Sequence, residues 1–174
     1  IEPEHIVIEA DQVATDTVDQ RFWLLSNSEK EQTLLRLLNK SDVTQSIVFT
    51  NRRDQTHRVS DFLKKNQVDC EVLAGDIPQK KRLATLTRFK KGNLKYLIAT
   101  DVAGRGIHVE GISHVINYTL PEDPEDYVHR IGRTGRAGNT GTSISFVTED
   151  DAFNLPAIEE YIGMKADCEQ PNFE

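Results

Sequence analysis

The sequence predicts an α/β fold: a mostly parallel central sheet with helices on both faces. Two observations carry that reading. Short β-rich apolar runs alternate with stretches of helical periodicity, the pattern of a parallel sheet covered by helices. Hydrophobic residues make up 37% and charged residues 28% of the 174, enough apolar side chain for a domain with its own core.

"HIVIE" (5–9) and "QRFWLL" (20–25) read as strands. "SEKEQTLLRLLNK" (28–40) reads as a helix: Ser28 and Glu31 have capping-box spacing, and Leu34, Leu35, Leu37 and Leu38 face a core. "SIVFT" (46–50) is a buried strand running into a helix over 51–66. That helix has Asp54 as its N-cap and Val59, Phe62 and Leu63 on one stripe. The strand "CEVLA" (70–74) precedes a helix over 78–92, whose buried side is marked by Leu83, Leu86 and Phe89. "KYLIAT" (95–100), "SHVINYT" (113–119) and "GTSISFVT" (141–148) complete the strands. A helix over 126–131 follows the acidic "PEDPED", and one over 149–163 restarts around Pro156. No long linker or low-complexity tract interrupts the chain, so one domain over 1–174 is expected. The opening "IEPEH" lacks a methionine, as in a piece excised from a longer protein.

The formal net charge of −7 argues against wholesale coating by nucleic acid, yet a local basic face would suffice. No apolar run approaches the roughly 18 residues of a membrane span. Cys70 and Cys168 fit no metal or redox spacing and are expected as lone thiols. A cytoplasmic location without membrane or metal is the expectation that follows.

Four polar clusters are placed by this reading at strand carboxyl ends, where open α/β sheets bind ligands. They are "TNRR" (50–53), "AGDIPQKKR" (74–82), "TDVAGRGIH" (100–108) and "RIGRTGRAG" (130–138). In the last, Arg130, Arg133 and Arg136 alternate with glycines. Arginine's planar fork suits phosphate, and glycine permits close approach or positive φ. A disordered RG-repeat tail is the rival reading, but the run sits between a predicted helix and strand. In 78–91 the bases Lys80, Lys81 and Arg82 crowd a helix start, where they oppose the macrodipole unless an anion binds. The amides of Gly75 and Asp76, with Gln79 and Arg82, suit a nucleic-acid phosphate. No G-x-x-x-x-G-K-[ST] and no D-E-x-D string occurs, so nothing here cradles a triphosphate or holds Mg²⁺. The arginines read as half of an active site.

"HRIGRTGR" (129–136) resembles motif VI of the DEAD-box RNA helicases of superfamily 2. "SIVFTNRR" resembles their motif IV, "GDIPQKKR" motif IVa and "TDVAGRGIH" motif V, in the right order and over nearly the whole chain. "GDIPQKKRL", the histidine of "GRGIH" and "NLPAIEEYIG" (154–163) resemble the branch that serves bacterial RNA degradation. The resemblance implies the second, RecA-like domain of a two-domain ATP-dependent RNA helicase. It implies that Arg133 and Arg136 reach the γ-phosphate of ATP, with Arg136 the finger. ATP and Mg²⁺ would be held mainly by a first RecA-like domain. His129 would couple the nucleotide and RNA sites, and Asp101 and Arg105 would join the motifs through ion pairs. Asn51, Gly75, Gln79, Arg82 and Thr100 would contact the RNA backbone. Most family members have an aspartate on the nucleotide ribose where His108 stands; here an imidazole would make that contact, or the ribose goes uncontacted. Gly104 replaces the usual alanine. Implied partners are RNA, the first domain and an RNA-degradation complex on a ribonuclease scaffold. A non-catalytic scaffold would need neither Arg133 nor Arg136, and a DNA-directed superfamily 2 enzyme is disfavoured by the wording of motifs IV to VI.

Overall fold

The computed structural model describes residues 17–104, 109, 111–135 and 140–173. The strands are β1 (Val18–Leu24), β2 (Ser46–Thr50), β3 (Cys70–Leu73), β4 (Tyr96–Thr100), β5 (His114–Asn117), β6 (Gly141–Val147) and β7 (Cys168–Glu169). Between them lie α1 (Lys30–Leu38), α2 (Arg53–Lys65), α3 (Gln79–Lys90), the single turn α4 (Asp101–Gly104), α5 (Pro124–Ile131) and α6 (Leu155–Ile162). Among the described residues seven strands form one sheet in the order β3-β4-β2-β5-β6-β1-β7, with every pairing between them parallel. The predicted fold class is therefore the observed one.

Handedness distributes the helices. The connections β1→β2 and β2→β3 step toward the β3 edge, whereas the later ones step back. Parallel crossovers are right-handed, so α1 and α2 cover one face while α3, α5 and α6 cover the other. The core divides accordingly, with strand side chains alternating between faces. Leu34, Leu37, Val59 and Leu63 pack with Trp23, Val48 and Phe146 on the first face. Phe89, Tyr127, Ile131 and Ile158 pack with Phe22, Ile47 and Phe49 on the second.

Several local expectations shift. The capping box ahead of α1 is Ser26 with Glu29, not Ser28 with Glu31: the Ser26 amide donates to Glu29 Oε1 at 2.8 Å around a 3₁₀ turn over Asn27–Glu29. Arg52, in extended conformation, is the N-cap of α2, and Asp54 pairs with its guanidinium at 2.9 Å. Leu83 is 56% exposed. The inward stripe of α3 is instead Arg82, Thr85, Leu86 and Phe89, which follows the i, i+3, i+4, i+7 spacing. Pro156 sits in the first turn of α6, where its missing N–H costs nothing. The predicted strand 5–9 lies outside the described residues. The two cysteines are unpaired, and burial pushes the Cys70 thiol up. Among the described residues no helix is long and apolar enough to cross a membrane.

Candidate nucleotide and nucleic-acid interface

Three strand ends converge on one buried side chain, Arg130. Asp123 caps α5 by accepting the Glu125 amide at 2.9 Å, and Pro124 occupies the first turn. Tyr127, Arg130 and Ile131 share the buried stripe of this helix, which runs back down the sheet from the carboxyl rim. Long helical side chains lean toward their own N-terminus, so the Arg130 guanidinium returns to the rim. There it is 1% exposed.

Its donors are taken up by residues that follow three different strands. Nε and Nη2 grip the Asp101 carboxylate at 2.6 and 2.7 Å, just past β4. Nη2 also reaches Asn51 Oδ1 at 2.7 Å, just past β2. Nη1 donates to the Thr119 carbonyl at 2.8 Å, just past β5. The Phe49 ring lies 5.3 Å from the guanidinium carbon. The helices leaving β2 and β5 cover opposite faces, so this is a switch point of the sheet, the usual place for a ligand crevice. A fork-on-fork pair at this burial fixes geometry more than it adds net stability.

Asp101 pairs with Arg130 and so links motifs V and VI; Arg130, grouped by its spacing with the phosphate-suited Arg133 and Arg136, has its fork taken up inside the domain instead. Arg105, the expected companion of Asp101, lies outside the described residues. Asn51 has both ends of its amide engaged within the domain, since Nδ2 donates to the Leu120 carbonyl at 2.9 Å. Thr100 is 8% exposed and its hydroxyl accepts the Ala103 amide at 3.4 Å. Gly75 and Gln79 are exposed, and no atom stands within 4 Å of where a Cβ on Gly75 would sit. Arg82 is half-buried: Nη2 reaches the Ala103 carbonyl at 3.4 Å, and its buried Nε has no hydrogen-bond partner among the described residues. Motif IVa is thereby tied to motif V.

The arginine run is split across the sheet. Arg130 reaches the carboxyl rim, as predicted, but Thr134 and Gly135 lie at the opposite, amino rim. Thr134 bridges Ile112, just ahead of β5, and its hydroxyl donates to the Ile112 carbonyl. Gly135 has φ +69, and a Cβ there would come within 2.7 Å of the Thr17 carbonyl oxygen. Gly132 has φ −65, which any residue adopts. Gly141 adds a requirement that spacing did not signal, because its Cβ would collide with Thr134 and the Gly135 backbone. Gly135→Ala is expected to cost about 1–3 kcal/mol through left-handed strain and this contact. A urea-unfolding midpoint equal to that of the parent would refute it. Arg133 is half-buried and His129 exposed, whereas Arg136 and His108 lie outside the described residues.

Charge divides the carboxyl rim. Over β2 and β3 stand the exposed Arg52, Arg53, Arg58, Lys80 and Lys81, whereas over β5 and β6 stand Glu122, Asp123, Glu125, Glu149 and Asp150. A chain of net charge −7 therefore keeps a basic half-rim. On the acidic side Lys30 is buried over the Tyr118 ring at 4.9 Å. Burial lowers its pKa, while Asp151 and Asp150 act to raise it.

Residues 29–138 match the family model of the helicase conserved C-terminal domain. The ATP-dependent RNA helicase RhlB of Pseudomonas aeruginosa is 52% identical over 98% of this chain and 43% of its own length. The Xanthomonas axonopodis RhlB is 47% identical over 97% of this chain and 29% of its own length. This chain thus spans less than half of the relatives it matches. Among solved structures, the Escherichia coli DEAD-box protein SrmB, bound to regulator of ribonuclease activity A, aligns with a TM-score of 0.81 at 33% identity. That alignment covers 89% of this chain and 91% of that one. Saccharomyces cerevisiae Dbp5, bound to RNA and ADP BeF3, also aligns at 0.81, with 32% identity, covering 91% of this chain and 42% of that one. With motifs IV, IVa, V and VI in order on a parallel RecA-like sheet, the chain belongs to the helicase conserved C-terminal domain family, in its DEAD-box form.

Proposed function

We propose that this chain is the second half of an ATP-dependent RNA helicase and is inactive alone. The observation that carries this reading is an arginine run suited to a triphosphate in a sequence that holds no loop to cradle one. Arg133 and Arg136 act on the γ-phosphate across an interdomain cleft, with Arg136 as the finger. ATP and Mg²⁺ are held mainly by a first RecA-like domain that this sequence does not contain. His129 relays between the nucleotide and the RNA. Gly75, Gln79 and Arg82 hold RNA phosphates on the basic half-rim, joined by the backbone around Asn51 and Thr100. Closure of the two domains bends the RNA and opens a short duplex, and hydrolysis releases it. Contacts to sugar and phosphate read shape and the 2′-OH rather than sequence. The likeness to RhlB supports work in bacterial RNA degradation, in the cytoplasm.

The purified 174-residue chain is expected to show no RNA-stimulated ATP hydrolysis and no unwinding. Turnover by it would overturn the proposal. In the two-domain protein, Arg82→Ala is expected to weaken RNA binding at every sequence. It should also reduce the slope of log affinity against log salt by about one. An unchanged slope, measured by anisotropy across a salt series, would remove Arg82 from the RNA track.

A further inference from the structure

We infer that His57 is a positioning residue for RNA. It clasps the loop over 74–78 and masks a carboxylate that would otherwise repel the phosphate arriving there. The inference rests on the proposed RNA contact at Gly75, Gln79 and Arg82 and adds a residue that no motif names. His57 stands on the first turns of α2, and its Nε2 lies 2.9 Å from Asp76 Oδ2. Asp76 directly follows Gly75 in the loop from β3 to α3. That loop is otherwise held by a turn from the Ile77 amide to the Ala74 carbonyl at 3.1 Å and by the half-buried Ile77 side chain.

The position of Asp76 poses a problem that His57 resolves. A free carboxylate beside a glycine amide and a helix start competes with any phosphate for those donors. The Asp76 carboxylate is instead drawn aside to α2 by the imidazole of His57. Both side chains are partly exposed, 42% for His57 and 37% for Asp76. On α2 itself, Asp54 is already engaged by Arg52, whereas Asp76 is the carboxylate that His57 contacts across the two elements.

The test uses the full two-domain protein and a short single-stranded oligouridylate, with affinity measured by anisotropy at constant pH and salt. His57→Ala frees the Asp76 carboxylate and is expected to weaken binding about two- to fivefold, the range that half-exposed pairs reach. His57→Gln keeps a hydrogen bond and should retain near-wild-type affinity. Asp76→Asn has no charge to mask, so in that background His57→Ala should cost little. His57→Glu sets two carboxylates face to face and should weaken binding, with Asp76→Asn rescuing it. A His57→Ala affinity equal to wild type, or the same loss in the Asp76→Asn background, would overturn the clasp while leaving the RNA reading intact. If Arg82→Ala leaves affinity unchanged, the RNA reading of this loop falls and the clasp falls with it.

Discussion

Arg130→Ala is expected to lower the stability of the domain by about 3–5 kcal/mol, the cost of removing one partner of a buried ion pair. The loss is large because Arg130 serves several acceptors at once. Its removal leaves the Asp101 carboxylate, Asn51 Oδ1 and the Thr119 carbonyl without their shared donor in a part-buried site. For a chain of this length the melting temperature should fall by roughly 6–20 °C. Arg130→Lys should recover only part of the loss, since an ammonium cannot span three strand ends as a planar fork does. Asp101→Ala in the Arg130→Ala background should cost much less than it does alone, because the two share an interaction. A thermal melt of Arg130→Ala within about 1 kcal/mol of the parent would show that the rim is not organised around this side chain.

Arg136→Ala, in the two-domain protein, is expected to reduce ATP turnover by roughly 10³–10⁵ while leaving RNA affinity nearly unchanged. An arginine finger acts on charge that develops as the phosphoryl group transfers, so its loss appears in kcat rather than in binding. Arg82→Ala should show the opposite split. A turnover rate within about threefold of wild type corresponds to less than 1 kcal/mol of barrier and would reject the finger role. Steady-state ATPase assays at saturating RNA, paired with RNA titrations, separate the two outcomes.

The sheet, the order of its motifs and the helix-covered faces were legible because β-rich runs and amphipathic stretches alternate without ambiguity. What escaped the sequence was mostly phase. In "RIGRTGR" the three arginines look equivalent at a spacing of three, yet only Arg130 lies within α5, a helical turn from Tyr127 and beside Ile131 on the buried stripe. Extending the helical period of Tyr127 and Ile131 by one position would have singled it out. The same slip placed Leu83 inside: its spacing to Leu86 and Phe89 suits a helix, but Thr85 and Arg82 fill the inward positions. The capping box moved by two residues because Ser26 and Glu29 repeat the chemistry of Ser28 and Glu31. The clasp from His57 to Asp76 joins elements 19 residues apart, which no local pattern reveals. Two-residue β7 carries no signal of its own, being a polar segment recruited by the edge of β1.

The seating of β1 bears on how the chain is made. It lies between β6 and β7, and its register joins Val18 to Gly141 and Phe22 to Cys168. The first strand in the described order thus waits for the last two, roughly 120 residues or more downstream. At a synthesis rate of about 5–20 residues per second, that wait is on the order of ten seconds. During it Phe22 and Trp23, both buried in the finished fold, sit on a strand with neither edge paired. Such long-range parallel pairing is intrinsically slow to form and prone to aggregate. A ribosome-bound nascent chain of this domain is thus a natural client for chaperones until β6 emerges.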